Sequence, residues 1–324
     1  RLVKGAYWDS EIKWAQERGL SDYPLFTRKP STDVSYLACA KDMLRAAYIR
    51  PAFATHNALT VGTILEWAGQ TRDFEFQRLH GMGQGLFERL VPDEGYHCRI
   101  YAPVGGHRDL LAYLVRRLLE NGANSSFVHQ LADEEVSEDE LLADPVEKVM
   151  EVGGTRHPAI RLPAELFAPE RANSEGMDLE DAAVLADIAG KVAAMPAVPG
   201  GIDVDVASAI AAAEAAYPAW VATPTDERAA CLERLADLLE QHRAPLMAIA
   251  VQEAKKTIPD ALAEVREAVD FCRYYAARAR HDMQSVELPG PTGERNVLRY
   301  EGRGVWAAIA PWNFPLAIFL GQVV

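Results

Sequence analysis

The sequence is poor in the features that would tie it to several common roles. Its four cysteines, Cys39, Cys98, Cys231 and Cys272, show no paired spacing, which fits a reducing compartment and offers neither a disulfide framework nor a metal site. Positive charge is in deficit, with 33 Lys and Arg against 47 Asp and Glu and a formal charge of −14. That balance argues against a nucleic-acid surface, and no basic cluster is dense enough to override it. There is no G-x-G-x-x-G, no phosphate-loop motif and no internal repeat. The charge-free run 304–324 has about the length of a membrane span, yet Pro311, Asn313 and Pro315 interrupt it. Proline in a helix interior costs about 3 kcal/mol. The run therefore reads as a buried strand, a sharp loop and the start of a helix, and no transmembrane segment is expected. The chain begins without Met on an apolar run and stops inside another apolar run, and no signal peptide is expected. Both ends read as cuts through elements of something longer.

What is present is ordinary globular composition, 49% hydrophobic and 25% charged over 324 residues, enough for about two domains. The densest chemical signal lies at 105–128, GGHRDLLAYLVRRLLENGANSSFV. Leu110, Leu111, Leu114, Val115, Leu118 and Leu119 recur at helical spacing and predict a broad buried stripe. Arg116 and Arg117 are adjacent within it. Neighbouring helix positions are about 100° apart, so both cannot lie at the centre of a solvated face, and at least one is pushed toward the packed side. A buried cation needs an anion, and a planar guanidinium suits a carboxylate held by two parallel hydrogen bonds. An exposed arginine beside one paired with Glu120 fits the same spacing.

The first 150 residues alternate short apolar runs with amphipathic helices. Runs fall at 1–6, 25–26, 52–54, 74–79 and 99–104, and helices at 10–18, 33–47, 58–68, 83–90 and 107–121. Strand then helix, repeated, implies parallel strands with helical crossovers. The run ends carry Lys4-Gly5-Ala6-Tyr7-Trp8, Thr27-Arg28-Lys29, Thr55-His56-Asn57, Leu79-His80-Gly81 and Tyr101-Ala102-Pro103. In a (β/α)8 barrel these ends form one rim, where ligands bind. Five strands cannot close a barrel, so the opening strands are expected upstream of Arg1. Each cluster alone has a plain explanation: Tyr7 and Trp8 as packing, His56 as a hydrogen-bonded structural histidine, Arg28 and Lys29 as a solvated turn. Five at equivalent ends suit a large anionic ligand with a flat ring, with cations for phosphates, aromatics for stacking and Gly5 for close backbone approach.

Beyond 128 come acidic helical stretches at 133–142 and 145–150, then a proline-rich linker. The expected division is a barrel part at 1–150, a linker at 151–176 and a second domain at 177–324. Helices dominate the second domain, at 179–194, 203–216, 226–241, 245–254 and 260–280, followed by a turn at 289–293 and strands at 296–300 and 304–310. Cys231 and Cys272 fall on helices, out of context for a nucleophile.

The segments RLVKGAYWDSEIKWAQ, YPLFTRKPSTDVSYLACA, FATHNALT, FEFQRLHGMG, RIYAPVGGHRDLLAYLVRRLLENGANSSFV and LFAPERANSEGMDL closely resemble the proline utilization A family, bifunctional bacterial enzymes joining proline dehydrogenase to an aldehyde dehydrogenase. EVREAVDFCRYYA and APWNFPLAIFLGQVV resemble the beginning of the aldehyde dehydrogenase domain. The resemblance implies an α/β chain, the later part of a (β/α)8 barrel followed by the N-terminal part of a Rossmann-like aldehyde dehydrogenase domain. It implies FAD in the barrel, at positions matching Arg1, Val3, Lys4, Gly5, Ala6, Tyr7, Trp8, Thr27, Arg28, Lys29, His56, Asn57, Glu120, Ser126 and Phe127. It assigns Arg116 and Arg117 to the carboxylate of L-proline, and Tyr101, Tyr113, Leu79 and Tyr7 to enclosing the proline ring. Hydride removal beside the proline nitrogen would give Δ1-pyrroline-5-carboxylate, with electrons passed from FAD to a membrane quinone. In the second domain Asn313 would steady an oxyanion, and Ala310, Pro311 and Trp312 would line the nicotinamide end of NAD during oxidation of glutamate semialdehyde. Asn313 also fits a plain turn between two prolines. Lys255 stands where these helices often carry glycine. The implied setting is cytoplasmic, with peripheral contact at the inner membrane and a homo-oligomeric state. Alternative readings are an NAD-dependent aldehyde dehydrogenase with an accessory barrel, or a DNA-binding proline-utilization regulator, which the charge opposes.

Overall fold

The computed structural model describes residues 1–324 apart from 6, 122–126, 134 and 198–202, and no side chains at 118–121, 128 and 132. The chain divides into two compact units. One comprises Arg1–Ile12 and Pro24–Ile160, the other Lys13–Tyr23 and Arg161–Val324.

The first unit is built on four parallel strands, β1 (Leu2–Val3), β2 (Ala52–Ala54), β3 (Glu75–Leu79) and β4 (His97–Tyr101), paired in sequence order. Its helices are α1 (Trp8–Glu17, whose last residues belong to the second unit), α2 (Lys29–Arg45), α3 (Ala58–Ala68), α4 (Gln84–Leu90), α5 (His107–Asn121), α6 (Phe127–Ala132), α7 (Glu138–Leu141) and α8 (Pro145–Glu151). Strand pairing sets Leu2, Phe53, Phe76 and Cys98 in one row across the sheet. Because side chains alternate faces along a strand, this row points to the helix side. There Phe53, Phe74 and Phe76 pack with Tyr36, Val61 and Ile64, all nearly inaccessible. Ring centroids of Phe74 and Phe76 lie 5.4 Å apart, edge to face. The next row, Val3, Ala54, Gln77 and Arg99, faces the opposite side.

Three expectations need correction. Residues 25–26 form no strand, because β1 pairs directly with β2 and leaves no place between them. Helix α2 starts at Lys29, not 33, because Pro30 suits a first helical turn, where no N–H partner is needed. Within the expected stripe of α5, Leu111, Leu114 and Val115 are exposed and Leu110, like Tyr113, Arg116 and Arg117, is half-buried, while the side chains of Leu118 and Leu119 lie outside the described residues. The sheet of the described residues is open, and on α5 the positions carrying the guanidinium groups are more enclosed than Leu111, Leu114 and Val115.

The second unit is helical: α9 (Ala182–Ala194), α10 (Val206–Ala222), α11 (Thr225–Gln241), α12 (Arg243–Ala254), α13 (Ile258–Asp282) and α14 (Ala317–Val323), with a hairpin of β5 (Val286–Leu288) and β6 (Asn296–Leu298). The long helix α13 is its axis, packed on α11, α12 and α14. Its Ala261, Val265, Ala268, Val269, Cys272 and Ala276 are buried at helical spacing. The linker motif is anchored to it. Ser174 Oγ donates to Asp270 Oδ2 at 2.7 Å, and Arg171 pairs with Asp270 Oδ1 at 2.8 Å. Gly176 is required where it stands, since a Cβ there would lie 1.6 Å from the Arg18 carbonyl oxygen. The expected strand at 304–310 is absent, because these residues have no hydrogen-bonded neighbour strand among the described residues. A strand the sequence reading passed over, β5, precedes the turn at 289–293 and pairs with β6. Helix α10 continues past Pro218, where the sequence reading stops it at 216. It is exposed along its length, so water can satisfy the carbonyl that the proline leaves unpaired. Among the described residues no helix is long and apolar enough to cross a membrane.

Candidate functional site

The second row of the sheet opens onto a cavity of about 810 Å³ in the first unit, within the range of small-molecule and cofactor sites. It lies on the strands' cavity face and at their C-terminal ends, where a parallel sheet places its ligands. Of the residues singled out in the sequence, Arg1, Val3, Lys4, Gly5, Tyr7 and Lys29 line it from β1 and the start of α2. His56 and Asn57 line it from β2, Leu79 from β3 and Tyr101 from β4, and Tyr113, Arg116, Arg117 and Phe127 complete it.

Several others sit elsewhere. Trp8 donates its indole N–H to the Phe26 carbonyl at 3.0 Å. The Thr27 hydroxyl oxygen accepts the His157 N–H at 2.9 Å, and Arg28 Nε donates to the Thr155 carbonyl at 2.9 Å. Thr27 and Arg28 thus secure the loop around 155–157. Ala6, Ser126 and the Glu120 side chain lie outside the described residues. Ala310, Pro311, Trp312 and Asn313 belong to the second unit, on an exposed turn closed by the Phe314 N–H donating to the Pro311 carbonyl at 3.1 Å.

Four lining residues escaped the sequence reading: Ala54, Gln77, Arg78 and Met82. Strand parity marks two of them, since Gln77 is two residues from Leu79 and Ala54 is its register partner.

The cavity wall is electrostatically organised. The Arg116 guanidinium lies 3.5 Å from the centre of the Tyr7 ring and donates to its hydroxyl oxygen. Arg117 lies 5.3 Å from the Tyr113 ring and Arg1 4.6 Å from the Tyr101 ring. Contact with an aromatic face helps orient a guanidinium group. Lys4 is paired with Asp33, which also pairs with Lys29. Burial pulls the Lys4 ammonium below its ordinary pKa, and Asp33 opposes that shift.

His56 is held in one tautomer. Its Nε2 accepts the Leu79 N–H at 3.1 Å, which leaves the proton of the neutral ring on Nδ1. Burial lowers its pKa, and the Arg78 and Arg117 charges push it the same way. Beside it, Asn57 caps α3, its side-chain oxygen accepting the Thr60 N–H at 3.0 Å.

Below the rim a polar chain crosses the sheet. Tyr101 donates to Gln77, Gln77 Nε2 donates to Glu75 at 2.6 Å, and Arg99 grips both Glu75 oxygens at 2.8 and 2.9 Å. Those hydrogen bonds from Arg99 draw the Glu75 carboxyl down to about 2.

Comparison with known proteins finds matches for both parts. Residues 1–130 match the proline dehydrogenase family and residues 181–324 the aldehyde dehydrogenase family. The bifunctional protein PutA of Klebsiella aerogenes is 46% identical over an alignment covering 100% of this chain and 27% of that protein. A crystal structure of a bifunctional proline utilization A protein superposes with a TM-score of 0.91 at 54% identity, covering 100% of this chain and 34% of that one. A 1-pyrroline-5-carboxylate dehydrogenase of Staphylococcus aureus is 34% identical over 37% of this chain and 23% of its own length. The chain spans about a quarter of the curated bifunctional relatives it matches.

Proposed function

We propose, for a chain that belongs over its whole length with the bifunctional PutA proteins, that its first unit oxidises L-proline to Δ1-pyrroline-5-carboxylate. The observation carrying this reading is the adjacent pair Arg116 and Arg117 on one wall of the cavity, each beside an aromatic ring. Two forks, held side by side, match a small carboxylate, and the rings of Tyr7, Tyr101 and Tyr113 with Leu79 match an apolar pyrrolidine.

The residues present also fit FAD. Arg1, Lys4 and Lys29 supply cations for its phosphates, and a Cβ added at Gly5 would meet nothing within 4 Å, so that backbone stands beside open cavity. Val3, Tyr7, His56, Asn57 and Phe127 would hold the remainder, with Ala6, Trp8, Thr27, Arg28, Glu120 and Ser126 joining on the strength of the family resemblance. The chemistry FAD supplies when bound is acceptance of a hydride from the carbon beside the proline nitrogen and delivery of electrons to a quinone. The chain's own part is to fix the carboxylate with Arg116 and Arg117, to shield the ring with aromatic side chains, and to present a neutral His56 as a donor through Nδ1.

The second unit carries the start of an NAD-dependent oxidation of glutamate semialdehyde, the hydrolysed form of pyrroline-5-carboxylate. Asn313 would donate to the developing oxyanion, and 310–312 would line the nicotinamide end. The family resemblance supports a cytoplasmic setting for the complete protein, with peripheral membrane contact and a homo-oligomeric state.

The test is a flavin absorbance spectrum of the complete protein, recorded without oxygen. Bleaching of the oxidised band by proline, and its loss when both Arg116 and Arg117 are replaced by alanine, supports the reading. A band indifferent to proline overturns it. Steady-state assays with each substrate alone separate it from a simple aldehyde dehydrogenase with an accessory barrel.

A further inference from the structure

Glu264 on α13 is a carboxylate only 2% exposed, in a helix whose other buried positions are apolar. A buried charge persists only when its lone pairs and countercharge are provided, and here they come from one place. Oε2 accepts the N–H groups of Leu316 at 3.1 Å and Ala317 at 2.9 Å, the entry to α14. Oε1 meets Lys256 Nζ at 3.0 Å. The same ammonium lies 4.7 Å from the centre of the Phe314 ring. Every one of these partners falls on residues 314–317 or on the cation that touches them, directly after Asn313. The turn closed between Pro311 and Phe314 then carries that constraint to Asn313 itself.

We propose that Glu264, with Lys256, is the positioning residue for the Asn313 amide: a clamp that fixes the loop from below while the amide stays exposed for substrate. The inference rests on the reading of Asn313 as oxyanion donor. Glu264 touches no reacting atom. Its effect runs through loop geometry, so its removal should slow the chemical step more than it weakens binding, because a donor must meet the developing oxyanion, not the ground-state carbonyl.

The experiment uses the complete protein and the semialdehyde reaction. Asn313→Ala should lower kcat by about 10²- to 10³-fold, the usual effect of removing an oxyanion donor. Glu264→Ala should lower kcat on the order of tenfold or more, with KM for NAD and aldehyde changed by no more than about threefold. In the Asn313→Ala background, Glu264→Ala should cause no further loss, since the group it positions is gone. Glu264→Gln turns an amide N–H toward Lys256 and should be slow. Pairing it with Lys256→Met removes the stranded ammonium, keeps a carbonyl for both backbone N–H groups, and should return kcat to within about threefold. If Glu264→Ala does not fold, this rescue pair carries the test. An unchanged kcat in Glu264→Ala, an equal loss with and without Asn313, or failure of the rescue overturns the clamp alone. An Asn313→Ala enzyme of normal kcat overturns the oxyanion reading and the clamp with it.

Discussion

The Tyr101 hydroxyl donates to Gln77 Oε1 at 2.7 Å, joining the cavity rim on β4 to the interior of β3. Gln77 is only 5% exposed, so its carbonyl has no easy recourse to water. Removing the hydroxyl should cost about 1–3 kcal/mol by leaving that acceptor unsatisfied. Tyr101→Phe is expected to lower the thermal midpoint of the first unit by several degrees, and adding Gln77→Leu should recover only part of the loss, since it removes the stranded acceptor and also the Gln77 bond to Glu75. Differential scanning of the three proteins checks this, and equal midpoints would show that the bond contributes nothing.

Arg116 and Arg117 are oriented by different rings, Tyr7 and Tyr113. Lysine keeps the charge and loses the fork and the stacking. Each single change to lysine should therefore cost about 1.5–3 kcal/mol of proline binding, the scale of a charge-assisted hydrogen bond. That corresponds to a rise in KM of roughly ten- to a hundredfold, read in a dye-linked assay of the complete enzyme. A proline KM that both lysine variants leave intact would remove these arginines from the carboxylate site.

His56 gives a pH dependence of definite sign. Its folded pKa lies below 6.5, because burial and two nearby arginines disfavour its charged form. The unfolded state therefore binds the extra proton first as pH falls below about 6.5. Stability should drop with falling pH between the unfolded pKa and the lowered folded one, and rise back as pH increases through that window. Histidine ring signals followed by NMR should show one residue titrating below its model-peptide value and disappearing from that position in His56→Asn. A His56 signal titrating at or above 6.5 would remove the neutral donor at Nδ1.

Much of the first unit was legible because its signals are local and periodic. Ala52–Ala54, Ala58–Ala68 and His107–Asn121 fall where apolar spacing places them. The clusters after β1, β2, β3 and β4 were legible as strand ends too, since parallel strands deliver their ends to one side, whereas Thr27-Arg28-Lys29 follows no strand and only Lys29 reaches the cavity. What periodicity could not say is which face is covered. Leu111, Leu114 and Val115 have the spacing of a buried stripe, yet they are exposed, because burial depends on a neighbouring element and not on the helix. The same limit applies at 304–310, whose apolar run is strand-like but has no pairing partner among the described residues. Glu264 was invisible for another reason. Its buried carboxylate is announced only by partners distant in sequence, residues 316–317, whereas Gln77 shares the strand parity of Leu79.

Lys255 is the remaining case, a departure visible in the sequence whose cost becomes clear from the backbone. It ends α12 with φ 57° and ψ 32°, among the described residues the one non-glycine position with positive φ. An L side chain in this left-handed region is opposed by contact between its Cβ and the following carbonyl, which is why glycine favours this position at helix ends. Lysine partly offsets the strain by donating its ammonium to the Gln252 carbonyl at 2.7 Å, but both groups are at the surface, where such a bond contributes little. Lys255→Gly should therefore stabilise the second unit by about 0.5–1 kcal/mol, after the greater flexibility of glycine in the unfolded chain is counted. Lys255→Ala, which keeps the Cβ and loses the hydrogen bond, should be no more stable than the parent. Paired thermal or urea unfolding curves decide it, and a glycine variant less stable than the alanine one would show that the left-handed turn carries no strain.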